Sequence, residues 1–133
     1  MENCTPIRFN EPYITGNELP YIEQVFKNKH FQGNGPFTVK CQSFLEEYLS
    51  VQKVLLTDSC TSALEIAALL LKEEGENEVI LPSYTFSSTA SAFARAGYTI
   101  QFVEVNPETM MIDIEHAKSL ITDSTRAIVP VHY

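Results

Sequence analysis

The chain of 133 residues has no tryptophan, only five glycines, and three cysteines that stand far apart. Cys4, Cys41 and Cys60 form no CxxC pair. They offer neither a zinc-ligand set nor a disulfide frame, and read as reduced thiols of a cytoplasmic protein. No apolar run approaches the roughly 18 residues that a membrane span requires. Met1–Pro6 lacks the basic head and apolar stretch of a signal peptide. Positive charge is scarce as well: nine Lys and Arg face seventeen Asp and Glu, for a net charge of −8, and the nine are scattered. That balance argues against nucleic acid or an anionic membrane as the main partner.

The hydrophobic fraction of 44% is that of an ordinary globular chain, and the length suits one domain. Two segments differ in pattern. Residues 1–50 read as an N-terminal arm: an extended stretch through Pro12, then a helix over about 17–28 with Leu19, Ile22, Val25 and Phe26 on one face. After the loop Asn28–Gly35, Pro36 suits the first position of a second helix, on which Phe37, Cys41, Phe44, Leu45 and Tyr48 recur at helical spacing through Leu49.

From residue 51 to 133 strands and helices alternate. Strands are expected at Val54–Thr57, Val79–Leu81, Thr99–Val105 and Arg126–Val131. Between them, residues 61–72 form a helix apolar almost all round, which should therefore be buried. A second helix runs from Phe86 to Ala94 and is closed by Gly97, and a third is capped by Asp113 with Ile114, Ala117, Leu120 and Ile121 facing inward. The fold class implied is α/β, a mostly parallel sheet with helices on both faces.

Such sheets place ligand chemistry at the C-terminal ends of their strands. Three loops meet that condition: Asp58–Thr61, Pro82–Phe86 and Val131–Tyr133. In the first, an apolar run stops at Thr57-Asp58-Ser59-Cys60-Thr61-Ser62 and a helix begins inside it. Free N–H groups, the positive end of the helix dipole and the hydroxyls of Ser59 and Thr61 make a seat for a phosphate. Ser59 and Thr61 would also serve as plain helix caps, which need the same residue types. Tyr84 and Phe86 in the second loop suit core packing or stacking on a flat ring. His132, in the third, suits a structural or a catalytic role.

Three runs in this order carry a resemblance: Lys53–Glu65 (KVLLTDSCTSALE), Glu78–Phe86 (EVILPSYTF) and Val129–Tyr133 (VPVHY). Together they resemble the DegT-type nucleotide-sugar aminotransferases, pyridoxal-phosphate (PLP) enzymes of fold type I. Within that family the likeness is greatest to the branch that makes dTDP-4-amino-4,6-dideoxygalactose for enterobacterial common antigen. The similarity runs from about Ile7 to Tyr133 and covers about the first third of the family's usual length.

The resemblance implies PLP as cofactor. It places the N–H groups of Cys60 and Thr61 and the Thr61 hydroxyl on the phosphate, and Phe86 against the pyridine ring. Ser59 and the Gly33–Gly35 loop would stand near the cofactor or the sugar nucleotide. It also implies a homodimer, and transfer of an amino group from glutamate to the C4 keto group of a dTDP-4-oxo-6-deoxyhexose. The family's Schiff-base lysine and the aspartate facing the pyridine nitrogen find no match here. None of Lys27, Lys29, Lys40, Lys53, Lys72 and Lys118 stands in the corresponding motif. The chain is therefore expected to be a truncated transaminase, inactive alone, with no catalytic residue of its own and no metal site. Two other readings share these loops: a thiol enzyme with Cys60 as nucleophile and His132 as base, and a non-catalytic phosphate-binding or interaction module.

Overall fold

The computed structural model describes residues 7–133, so the readings of Met1–Pro6 and Cys4 lie outside the described residues. The chain divides into two compact units, one ending at Leu56 and the other spanning Thr57–Tyr133.

In the first unit α1 is Glu18–Asn28 and α2 is Pro36–Leu49. A carboxylate fixes the entry to α1. Thr15 donates both its N–H and its hydroxyl to Glu18 Oε1 at 2.8 Å, and the Gly16 N–H donates to Oε2 at 2.9 Å. These bonds, led by the Thr15 N–H, hold the Glu18 carboxyl down to about 2. Helix α2 opens on Pro36, whose missing N–H is no loss at that position, and closes on Ser50 in the left-handed conformation, φ 54°. Tyr21 and Phe37 meet edge-to-face at 5.4 Å. The apolar stripes are where expected, yet no residue of either helix is buried.

The strand expected at Val54–Thr57 does not form. A strand exists through its ladder. Here the Val54 N–H donates instead to Glu46 Oε1 at 3.0 Å, and Lys53 Nζ joins the same oxygen at 3.0 Å. The Val54 N–H and Lys53 together lower the Glu46 pKa.

In the second unit three parallel strands, β1 (Glu78–Pro82), β2 (Thr99–Val103) and β3 (Thr125–Ile128), pair in the order β2-β1-β3. Central β1 is buried from Val79 to Pro82. Its alternation sends Val79 and Leu81 to one face, against Ala68 of α3 (Cys60–Leu70), Ala92 and Phe93 of α4 (Ser87–Arg95), and Tyr98. Ile80 points to the other face, against Val103 and Ala117 of α5 (Ile114–Ser119). Helices therefore cover both faces, as the α/β reading requires.

Details differ from expectation. Three strands form where four were expected. Strand β2 stops at Val103 because Val105 turns away to bridge Ile112 in antiparallel fashion. Strand β3 ends at Ile128, although the Val129 N–H still reaches the Ile80 carbonyl at 2.8 Å. Of α3 only Ala68 is buried, while Ile66, Leu69 and Leu70 are 48, 66 and 79% exposed. One face of that helix meets the sheet and α4, and the rest meets nothing among the described residues. Ile114 and Ile121 are likewise exposed, and only Ala117 and Leu120 turn inward.

Two buried polar groups tie the layers together. Tyr98 Oη donates to the Ala68 carbonyl at 3.0 Å, and burial pushes the phenol's pKa up. Asn77 accepts the Glu73 N–H and donates to the carbonyls of Glu73 and Gly75, all at 2.9 Å, fixing the turn between α3 and β1.

Removing these groups strands their partners. Tyr98→Phe should lower stability by about 1 kcal/mol and Asn77→Ala by about 2–3 kcal/mol. Urea unfolding checks both, and a loss no larger than that of an exposed control would refute the assignment. The Glu18 clamp gives a pH signature. Its folded value lies below the ordinary 4.5, so its contribution is complete above 4.5 and is lost as pH falls toward about 2. An NMR titration of the Glu18 carboxyl should show a midpoint near 2; a midpoint at 4.5 would remove the clamp.

Candidate functional site

The second unit gathers the three candidate loops at one edge of its sheet. Helices α3 and α4 lie side by side, joined by the 2.8 Å pair of Arg95 Nη1 with Glu65 Oε1. Lys72 Nζ, just past the end of α3, donates to the Ala96 carbonyl at the end of α4. The two helices therefore end together and point the same way. Helix α4 starts directly after β1, so its N-terminus lies at the C-terminal edge of the sheet, and the α3 N-terminus lies there too. The exit of β3 reaches the same edge, where the Tyr133 ring sits 4.9 Å from that of Tyr84.

Ser59, extended at φ −156° and ψ 157°, is the N-cap of α3; its Oγ accepts the Ser62 N–H at 3.1 Å. Its carbonyl accepts the Ala63 N–H at 3.2 Å and the Thr57 hydroxyl at 2.8 Å. These bonds hold the first turn and leave its leading donors free. Among the described residues, the N–H groups of Cys60 and Thr61 and the Thr61 hydroxyl have no hydrogen-bond partner. Ser59 thus acts as the cap, whereas Thr61 does not. Sequence reading left both roles open for each.

Asp58 is the group that sequence reading passed over. Hydrogen bonding, first from the Ser62 hydroxyl, lowers its carboxyl pKa, so a negative charge already stands at the mouth of α3. It would oppose any anion that approaches the start of α3. Its signal in the sequence was only its place immediately before the cap.

Phe86 is the N-cap of α4, and its ring is 76% exposed; Tyr84 is 48% exposed. Core packing, the alternative open for both rings, does not occur. Thr85 Oγ1 lies 2.9 Å from Thr89 Oγ1, which anchors the turn onto the buried side of α4. Cys60 and His132 are both exposed and share no hydrogen bond among the described residues. Gly33–Gly35 belong to the first unit, where Gly35 is the N-cap of α2. Among the described residues no group of three or more His, Cys, Asp or Glu could hold a metal ion. Nor is any helix there long and apolar enough to cross a membrane.

Comparison with known proteins places this edge in context. Residues 12–133 match the DegT/DnrJ/EryC1/StrS aminotransferase family. The dTDP-4-amino-4,6-dideoxy-D-glucose transaminase of Escherichia coli is 38% identical over 86% of this chain and 30% of its own length. The structure of NtdA from Bacillus subtilis with bound cofactor PMP is similar with a TM-score of 0.78 at 33% identity, covering 90% of this chain and 28% of that one. The E. coli GDP-4-keto-6-deoxy-D-mannose-3-dehydratase with bound hydrated PLP is similar with a TM-score of 0.77 at 26% identity, covering 90% and 32%. The chain spans 22–36% of the length of the curated relatives it matches. With a match over nearly all of its residues and the parallel sheet to support it, the chain belongs to the DegT/DnrJ/EryC1/StrS aminotransferase family.

Proposed function

We propose that this chain supplies the phosphate seat and one ring wall of a PLP-dependent sugar aminotransferase. The observation that carries the reading is the set of free donors at Cys60 and Thr61, on the edge where Phe86 shows an exposed ring. The donor set fits the group. The first turn of an 11-residue helix leaves two main-chain N–H groups and a hydroxyl without partners among the described residues. They stand at the positive end of the helix and are the donor types a phosphate dianion requires. In this reading Cys60 and Thr61 bind the phosphate, Phe86 covers one face of the ring, and Ser59 keeps the first turn rigid. Asp58 sets an upper limit on the affinity by repulsion.

PLP, when bound, acts as an electron sink for the carbon that exchanges its amino group. The proposed substrates are glutamate as amino donor and a dTDP-4-oxo-6-deoxyhexose as acceptor at C4, and the proposed assembly is a homodimer. The 38% identity to a dTDP-4-amino-4,6-dideoxy-D-glucose transaminase supports that acceptor.

A second reading, a phosphate-binding module without chemistry, is favoured by where the lysines stand. Lys72 follows the far end of α3, about 16 Å along the axis from Thr61 at 1.5 Å per residue. It is tied there to Ala96, and Lys118 is paired with Glu115. Neither lysine of the second unit belongs to the seat edge.

Thr61→Val deletes one hydrogen bond to a charged group, so pyridoxal phosphate binding should weaken by about 1.5–3 kcal/mol. Titration followed at the Cys60 and Thr61 amide resonances checks it, and unchanged affinity would count against the seat. Residues 1–133 by themselves should give no glutamate-dependent amination of dTDP-4-oxo-6-deoxyglucose. Turnover above background in a product assay would sink the lysine argument and favour a complete catalytic site.

A further inference from the structure

We propose that Tyr133 is a positioning residue for the Phe86 wall, acting through Tyr84. The inference rests on the reading of Phe86 as the face against which the cofactor ring lies.

The turn that presents Phe86 is anchored at both ends. Upstream, Pro82 is buried and pairs with Val103 in the sheet. Downstream, Thr85 Oγ1 meets the buried Thr89, and the Thr89 N–H closes on the Phe86 carbonyl at 3.0 Å. Between the anchors, Ser83 and Tyr84 cross the open edge, held locally by the Thr85 N–H to Ser83 carbonyl bond at 3.1 Å. Among the described residues, Tyr84 alone of this crossing has a ring contact or hydrogen bond to the segment after another strand. Its ring lies 4.9 Å from that of Tyr133 at 38°, and Tyr133 Oη points at the Tyr84 carbonyl at 3.4 Å.

Burial does not explain this pair, since Tyr84 and Tyr133 are 48 and 68% exposed. The contact instead joins the loop after β1 to the segment after its neighbour β3, and Phe86 itself makes no ring–ring contact among the described residues. The direction of the Phe86 ring is therefore set by the backbone of the turn, and the Tyr84–Tyr133 clasp is what limits that backbone's sway. At 3.4 Å the hydroxyl bond is long for O–H···O, so the ring contact carries the restraint.

The test uses this chain with two probes, pyridoxal phosphate and inorganic phosphate. Tyr133→Ala should weaken pyridoxal phosphate binding roughly three- to tenfold, the range an aromatic pair supplies. It should leave inorganic phosphate binding unchanged, because that probe uses only the amide seat. Tyr133→Phe should restore wild-type binding. Amide hydrogen exchange at Thr85 and Thr89, whose N–H groups bond the Ser83 and Phe86 carbonyls, should quicken in the Ala variant alone. Tyr133→Ala should lower unfolding stability by no more than the ring pair itself supplies. A loss of inorganic phosphate binding alongside pyridoxal phosphate binding would show a general structural role and overturn the clasp. If Phe86→Ala weakens pyridoxal phosphate binding and Tyr133→Ala does not, the clasp is wrong and the wall stands. If Phe86→Ala has no effect, the wall reading fails, and exchange at Thr85 and Thr89 still decides the clasp: unchanged rates overturn it. A Tyr133→Phe variant as weak as the Ala variant would overturn the ring-contact mechanism.

Discussion

The parallel pairing of β1 with both neighbours is the constraint from which the rest follows. A parallel pair cannot be closed by a hairpin, so each connection must cross a face of the sheet. From β1 the chain crosses through α4 to reach β2, and from β2 through α5 to reach β3. Val79 and Leu81 on one face and Ile80 on the other accept those helices, because a fully buried strand has no polar side to spare. Strand exits and the starts of α3 and α4 then collect at one edge. The free donors of Cys60 and Thr61 and the exposed ring of Phe86 share an edge because of connectivity, not because of a contact between them.

The electrostatics of that edge run against the chain as a whole. A net charge of −8 repels anions at a distance, but salt screens exposed charges over roughly 8–10 Å. Within that range local geometry decides. For a phosphate in the proposed seat, two N–H groups, a hydroxyl and a helix dipole would act at hydrogen-bond distance, where each bond to a charged group contributes about 1.5–3 kcal/mol. Asp58 stays in water, so solvent screens its repulsion while the donors act by direct contact. The proposed seat would therefore favour an anion even on an acidic protein, with affinity moderated by the neighbouring carboxylate.

Much of this was legible in the sequence, for identifiable reasons. Helix α2 was readable because Pro36 and the spacing of Phe37, Cys41, Phe44 and Tyr48 agree. The Asp113 cap was readable because its side chain does accept the His116 N–H, at 2.9 Å. The expected strand at Val54–Thr57 failed because apolar β-branched composition marks a capacity to pair, whereas pairing needs a partner. Glu46, eight residues away, took the donor. The burial of α3 was overestimated because periodicity reports which faces are apolar, not how many of them have neighbours. In the site, Ser59 and Thr61 are alike in type, and only backbone angles separate the cap from the free donor. The Tyr84–Tyr133 contact joins residues 49 apart, and no local pattern announces it.

The seat also bears on how far the fold determines the reaction. Its key donors belong to the main chain, so the side chain of Cys60 can change without disturbing them, and only the hydroxyl of Thr61 is a side-chain contribution. A site built that way survives wide sequence divergence. Related structures at 26–33% identity keep the same backbone with TM-scores of 0.77–0.78, one a dehydratase and one carrying PMP. A phosphate seat of the proposed kind, built from main-chain donors, would not by itself discriminate one substrate from another. Choice of sugar and of reaction must come from side chains that meet the reacting carbon. In the proposed reading, the edge loops of this chain would orient a cofactor through an aromatic wall and a phosphate anchor, and leave that choice to groups outside them.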